Sequence, residues 1–317
     1  MKKLLHKGLD LSRSKTARSL YWVLSGNFLT IILTFFTTIL IANHLTKADN
    51  GIFLALFTLA NLLSDLAELG LGSSLSNFVP KLRAQNRLSE AHHYVATAFT
   101  LEVIVGLVMM VSLVVLSPWL SRYLFADTPI INVTLAAILT FVLVIFGFSG
   151  LALSGYQLFR EVSVVNACYS VLRLGFLLVM IYVAKLDISK VLVVYVLTFS
   201  VGWIYSLIYL RKSFWLTLGT SDLRTRLLGF SSLLGLQKIF VSISSRLDVL
   251  MLIPLLAVRT GPVEAGVYGI ASRFALVYPL IISSFGQVLA PRFAQYKKAG
   301  NAAPFLKRAI MIVAILF

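Results

Sequence analysis

Cys168 is the chain's single cysteine, and it lies in an apolar run. A disulfide within the chain is excluded, and the thiol says nothing firm about redox compartment. Charge is scarce too: 13% of the 317 residues are Asp, Glu, Lys or Arg, and 12 of them are acidic. No polar stretch between apolar runs exceeds about 20 residues, far short of a soluble domain. There is no Pro/Gly/Ser-rich linker and no low-complexity tract. A glycine-rich phosphate loop ending in Lys-Ser/Thr, His-Glu-x-x-His and Gly-x-Ser-x-Gly are all missing, so nothing points to nucleotide hydrolysis or to zinc or serine catalysis. Gly70-Leu71-Gly72 lacks the third glycine of a dinucleotide loop. His92 and His93 stand side by side without further ligands, which reads as a solvated helix start, and no metal is expected.

What is present is apolar. Hydrophobic residues make up 59% of the chain, which marks an all-α integral membrane protein. Apolar runs near residues 20–42, 51–79, 94–117, 130–157, 162–184, 190–210, 227–258, 266–291 and from 309 onward read as spans of a polytopic helical bundle. The first is too long for a signal-peptide core and lacks a convincing cleavage site. The chain stops at Phe317, nine residues into its last apolar run, so the expectation is the front of a longer protein. On this reading residues 1–212 form a six-helix bundle with a basic leader. Residues 213–317 begin a second bundle, left incomplete.

The formal charge of +16 raises nucleic acid as a partner, but its placement argues against that. The leader (Lys2, Lys3, Lys7, Arg13, Lys15 and Arg18 against Asp10) and every second loop after it carry +15 between them, including Lys81 and Arg83, Arg211 and Lys212, and Arg292 to Arg308. The intervening loops carry +1, and charges inside the spans cancel. Short cytoplasmic loops collect Lys and Arg. The asymmetry therefore predicts an inner-membrane protein with a cytoplasmic N-terminus, with membrane lipids and not nucleic acid around it.

The charges inside the spans are the informative ones, since an ionised side chain in the bilayer costs several kcal/mol and faces a bundle interior or a watery cavity. In the seventh span Lys238, Ser242, Ser245 and Arg246 share one face, with Gln237, Ser244 and Asp248 beside it. Arg246 and Asp248 are two apart and cannot pair within a helix. The eighth span adds Arg273 and Gln287. Together these residues suggest a cation-lined cavity: Lys238, Arg246, Arg273 and Ser242 are the candidate binding residues. The second span carries Thr58, Asn61, Asp65, Glu68, Gly72 and Ser76 on one stripe if it is a single helix. Asp65 and Glu68 are i,i+3 neighbours in low dielectric, so a shared proton or a cation between them is one reading. With Asp248 they are the candidate ion-coupling residues. The plain alternative is interhelical pairing of these acids with Arg173, Lys238 or Arg246. Glu102 and Arg173, each alone on its span, read as paired packing residues.

A repeat links the two polar helix pairs. Asp49-Asn50-Gly51-Ile52-Phe53 follows span one, and span two closes on Pro80-Lys81-Leu82. Glu264-Ala265-Gly266-Val267-Tyr268 follows span seven, and span eight closes on Pro291-Arg292-Phe293. The copies are six spans apart and so share one orientation, the plan of a two-bundle transporter with parallel repeats.

These residues carry a resemblance. Arg246-Leu247-Asp248-Val249-Leu250-Met251-Leu252, Ala265-Gly266-Val267-Tyr268-Gly269-Ile270-Ala271-Ser272-Arg273-Phe274 and Pro291-Arg292 resemble the polysaccharide-biosynthesis branch of the multidrug/oligosaccharidyl-lipid/polysaccharide (MOP) exporter superfamily, which includes Wzx-type flippases. Ala48-Asp49-Asn50-Gly51-Ile52-Phe53 with Leu69-Gly70-Leu71-Gly72 is similar to that family's first helix pair. The resemblance implies 12 to 14 helices in two bundles and transport, not catalysis. It implies a flippase that carries an undecaprenyl-pyrophosphate-linked oligosaccharide of O-antigen (lipopolysaccharide), capsule or exopolysaccharide synthesis outward by alternating access. Polymerase and glycosyltransferases of the same pathway would be its partners. No cofactor is expected beyond a coupling H+ or Na+. A lipid II flippase is similar around Arg273, but in that family the first two helices also supply arginines, where this chain has Asp65 and Glu68. A cationic drug exporter would favour carboxylates over the basic face. A membrane-embedded glycosyltransferase or polymerase would show a sizeable outward loop, and the outward loops here are short.

Overall fold

The computed structural model describes residues 15–183, 185–211, 216–217, 221–256 and 260–275, of which residues 15–20, 221–228, 230 and 273–275 are described by backbone alone. Every element among them is helical: α1 Lys15–His44, α2 Lys47–Ala67, α3 Leu71–Ala84, α4 Leu88–Tyr123, α5 Ile130–Gly155, α6 Phe159–Val183, α7 Ile188–Leu210, α8 Ser221–Ser244, α9 Leu247–Leu255 and α10 Gly261–Ala275. In lipid a backbone N–H finds no water, so an apolar span satisfies its own hydrogen bonds as a helix. Six of these helices, of 21 to 36 residues, are apolar and long enough to cross a membrane. The protein is a multi-pass membrane protein, all-α among the described residues.

Polar caps decide where two crossings start. Thr46 Oγ1 accepts from the Asp49 backbone N–H at 3.1 Å and donates to Asp49 Oδ2 at 2.7 Å, closing the first turn of α2. Asp187 does the same for α7 through the Lys190 N–H at 2.8 Å. Burial sorts the helices. More than half of the apolar window of α2 and of α5 is buried (56% each), against 17% for α1 and 22% for α6. Thus α5 is central, packed on α2, α3, α4, α6 and α7, while α1 and α6 border the apolar surroundings. Phe28, Phe35 and Phe36 of α1 and Tyr182 of α6 make that outer face, joined by Val108, Val111 and Val115 of α4. Inside, the rings of Phe53, Phe57, Phe146, Tyr169, Tyr195 and Phe199 meet at centroid distances of 4.9–6.2 Å and tie α2, α5, α6 and α7 together.

Two expected continuous spans are broken. The second divides between α2 and α3 at Leu69 and Gly70, both in the left-handed region (φ +48° and +73°). The Leu71 N–H turns back to the Glu68 carbonyl at 2.8 Å. A left-handed leucine costs about 1–2 kcal/mol and persists only where its surroundings hold it. The single polar stripe therefore ends at Glu68, and on α3 it is Ser74, fully buried, that faces inward in place of Ser76. The seventh span breaks at Ser245–Arg246, between α8 and α9. Ser245 Oγ bonds the Ser242 carbonyl at 3.2 Å, the kind of side-chain competition that weakens a helix interior.

Three smaller expectations are corrected. Glu102 and Arg173 are both buried, yet neither makes an ion pair among the described residues. His92 is no free solvated side chain: its Nδ1 shares a 2.9 Å hydrogen bond with Tyr156 Oη.

Candidate functional site

The broken helices meet each other. The α2–α3 segment and α8 run antiparallel along a seam, and their partners fall in strict register. Ser74 Oγ and Ser231 Oγ share a buried hydrogen bond of 2.7 Å. Next along the seam, a Cβ built on Gly235 would lie 2.6 Å from the Leu69 carbonyl oxygen, and one on Gly70 would lie 2.5 Å from the Gly235 nitrogen. Only two glycines permit this approach, and it explains why the left-handed turn is held in place.

Beyond the glycines the seam becomes charged. Lys238 Nζ pairs with Glu68 and stands 4.0 Å from Asp65 Oδ1. Ser242 Oγ donates to Asp65 Oδ2 at 3.2 Å, and Arg246 Nη1 donates to the same oxygen. Arg246 occupies the residue just before α9, with φ −133°, so the helix break lets its guanidinium reach across to α2. Two cations of α8 and its break thus meet two carboxylates of α2. The interhelical pairing set out above as the plain alternative is the arrangement found, with Lys238 set against both acids and Arg246 against Asp65.

The far end of the seam is again glycine. α2 and α10 run parallel, and Gly51 faces Gly266: a Cβ on Gly266 would lie 2.7 Å from the Lys47 carbonyl oxygen and 3.4 Å from Gly51 Cα. One turn on, Gly269 faces Leu54 in the same register. These are the corresponding positions of the sequence repeat. Related helices beside a two-fold axis bring equivalent residues face to face, which is what parallel repeats demand.

The remaining predicted residues lie elsewhere. Asp248 accepts from Tyr268 Oη and from the Val249 N–H at 2.8 Å, linking α9 to α10 instead of joining the seam. Arg273 is on α10, and its side chain, like Gln287, lies outside the described residues. An open cavity of about 640 Å³ between α9 and α10 is lined chiefly by Leu252, Leu256, Val267, Ala271 and Tyr268. Among the described residues no cluster of His, Cys, Asp and Glu is placed to hold a metal. Sequence reasoning missed Ser74, Ser231, Gly235 and Tyr268. A signal existed for one of them: Gly235 lies one turn before Lys238 inside an apolar span, where a glycine often marks a close approach of another backbone.

Comparison with known proteins bears on this geometry. The family model described as polysaccharide biosynthesis protein matches residues 16–297. An uncharacterized membrane protein of Methanocaldococcus jannaschii is 24% identical over 111 residues, 35% of this chain and 22% of that protein. The chain therefore spans about a fifth of that relative. Among solved structures, the MATE multidrug transporter DinF-BH superposes with a TM-score of 0.75 at 15% identity, covering 95% of this chain and 69% of that one. An outward-facing multidrug resistance MATE transporter of the MOP superfamily gives 0.65 at 14%, covering 91% and 67%. A MOP superfamily transporter of Pyrococcus furiosus, described as having a binding pocket of reverse polarity, gives 0.57 at 15%, covering 89% and 70%. At these identities the likeness is one of fold.

Proposed function

The chain belongs to the polysaccharide biosynthesis protein family, and from that membership we propose that it is part of a flippase for an undecaprenyl-pyrophosphate-linked oligosaccharide in the inner membrane. The observation that carries this reading is the seam of opposed charges on two broken membrane helices. Closed, the seam is neutral. Parting it leaves Lys238 and Arg246 on the α8 wall and Asp65 and Glu68 on the α2 wall. Bare charges are costly there, so each wall draws a substitute for the partner it loses. A diphosphate head group fits the α8 wall, because guanidinium and ammonium bind phosphate oxygens strongly out of water. Ser242 and Arg273 are assigned to the same head group. Protons or Na+ fit Asp65 and Glu68, which makes the same seam the coupling element. Asp248, held by Tyr268, is assigned a lesser part in coupling. The prenyl tail stays in lipid, and the sugars pass between the halves. No cofactor enters this cycle, and glycosyltransferases and a polymerase supply and consume the cargo.

An exporter of cationic drugs would use the carboxylates of the α2 wall for its cargo, where this reading gives them to the coupling ion. The test is flux in proteoliposomes. Fluorescent undecaprenyl-pyrophosphate oligosaccharide should cross in a protein-dependent manner, and a cationic dye should not. The opposite pattern would replace the flippase with the exporter.

Orientation is tested separately. Because basic loops collect on one side, cysteines placed at Ser14 and Lys297 should resist an impermeant thiol reagent in intact cells. Both positions lie outside the described residues. Ready labelling of either from outside overturns the cytoplasmic N-terminus.

A further inference from the structure

Arg173 is a buried cation that the seam does not use. It lies on α6 with 3% of its surface exposed, and no carboxylate among the described residues pairs with it. Its surroundings are well defined. The α1 and α6 helices run parallel in constant register: Ser163 Oγ donates to the Trp22 carbonyl at 2.7 Å, and Arg173 Nη2 donates to Thr34 Oγ1 at 2.7 Å. The ring centroids of Tyr169 and Tyr195 stand 5.5 and 5.0 Å from the guanidinium carbon. Tyr195 is itself fixed edge-on against Phe53 and Phe57. One hydroxyl and two ring faces return only part of the hydration that a guanidinium loses on burial.

Two donors at this place are unspent. Arg173 Nε is buried with no partner. Thr30 sits one turn before Thr34 on the same face of α1, and its Oγ1 is likewise buried and unpartnered. Most membrane threonines bond the carbonyl four residues back, as Thr37 and Thr38 do in the same helix. An unpaired buried cation and two idle donors between α1 and α6 are the chemistry of an anion site.

We infer that Arg173 holds a small inorganic anion of the size of chloride inside the first six crossings, with Thr30 as its second donor. The ion neutralises the guanidinium and ties α1 to α6, apart from the seam and independently of what the seam carries.

The test is thermal unfolding of the purified full-length protein in sodium chloride against sodium gluconate at equal concentration. A ligand that binds only the folded state raises Tm, by roughly 2 °C at about ten times its dissociation constant and more at higher excess. The wild type is expected to show this shift and Arg173→Gln to lose it. Equal Tm in both salts for the wild type, or a full shift in Arg173→Gln, overturns the site. Should Arg173→Gln fail to fold, bromide decides on the wild type: an anomalous peak beside Arg173 and Thr30 supports the site, and its absence removes it.

Discussion

Gly51→Leu is expected to hold the seam open and to cut flux about 5- to 150-fold, the population effect of an overpacking cost of about 1–3 kcal/mol. A Cβ at Gly51 would lie 1.7 Å from the Pro262 carbonyl oxygen and 2.9 Å from the Gly266 nitrogen. Both are backbone atoms of α10, so no rotamer change relieves the clash and the helices must separate. The measurement is a crosslink. With Cys168 replaced by serine, cysteines at Ser74 and Ser231, whose hydroxyls are 2.7 Å apart, should join readily. Adding Gly51→Leu should suppress the bond, although it lies at the other end of the seam. Gly150→Ala is the control, because a Cβ there meets nothing within 4 Å. A crosslink that forms equally well with leucine at position 51 would show that the halves close without this contact.

The second large effect is expected at the charges. Lys238→Ala strands Glu68, whose side chain is 15% exposed, and should lower steady-state abundance strongly. Removing one partner of a fully buried pair costs about 3–5 kcal/mol, and with Lys238 itself 34% exposed the loss here falls below that range. Arg246→Ala should cost less abundance. Asp65 is 30% exposed and keeps Lys238 at 4.0 Å and the Ser242 hydroxyl at 3.2 Å. Its effect falls on cargo instead, with head-group binding weakened about 10- to 150-fold by loss of a charged hydrogen bond. Arg246→Lys keeps the charge and loses the planar fork, so binding should fall between the two. Combining Lys238→Ala with Glu68→Gln removes both charges and should restore abundance but not flux. If flux returns with abundance, the pair is purely structural and the diphosphate has no place on Lys238. Asp65→Asn and Glu68→Gln alone should change the proton or sodium dependence of flux. Unchanged dependence in both would take coupling away from them.

Lys238 and Arg246 were legible as functional candidates because charge within an apolar run stands out against a large desolvation cost, whatever the fold around it. Their partners were narrowed only to a short set. A cation in a membrane helix needs an acid or a ligand, and periodicity does not say which of Asp65, Glu68 and Glu102 is within reach. The helix breaks set that geometry. Leu69-Gly70 carries a weak glycine signal, and a leucine in the left-handed region has no local cause. Gly235 of another helix imposes it from about 165 residues away in sequence. Arg173 shows the converse. A lone charge on an apolar span reads as a paired packing residue, and Arg173 packs as expected but against two tyrosine rings and not an acid.

By itself, then, the sequence determined the all-helical membrane class, the repeat that brings Gly51 and Gly266 together, and which helices carry charge. Hydrophobic length and residue spacing act within one helix and need no partner. The pairing of Lys238 with Glu68 and of Arg246 with Asp65, the breaks after Glu68 and before Leu247, and the isolation of Arg173 were decided only by tertiary structure. The charge pairing along the seam depends on how closely two helix backbones approach, and that distance is set by Gly70 and Gly235, one on each side.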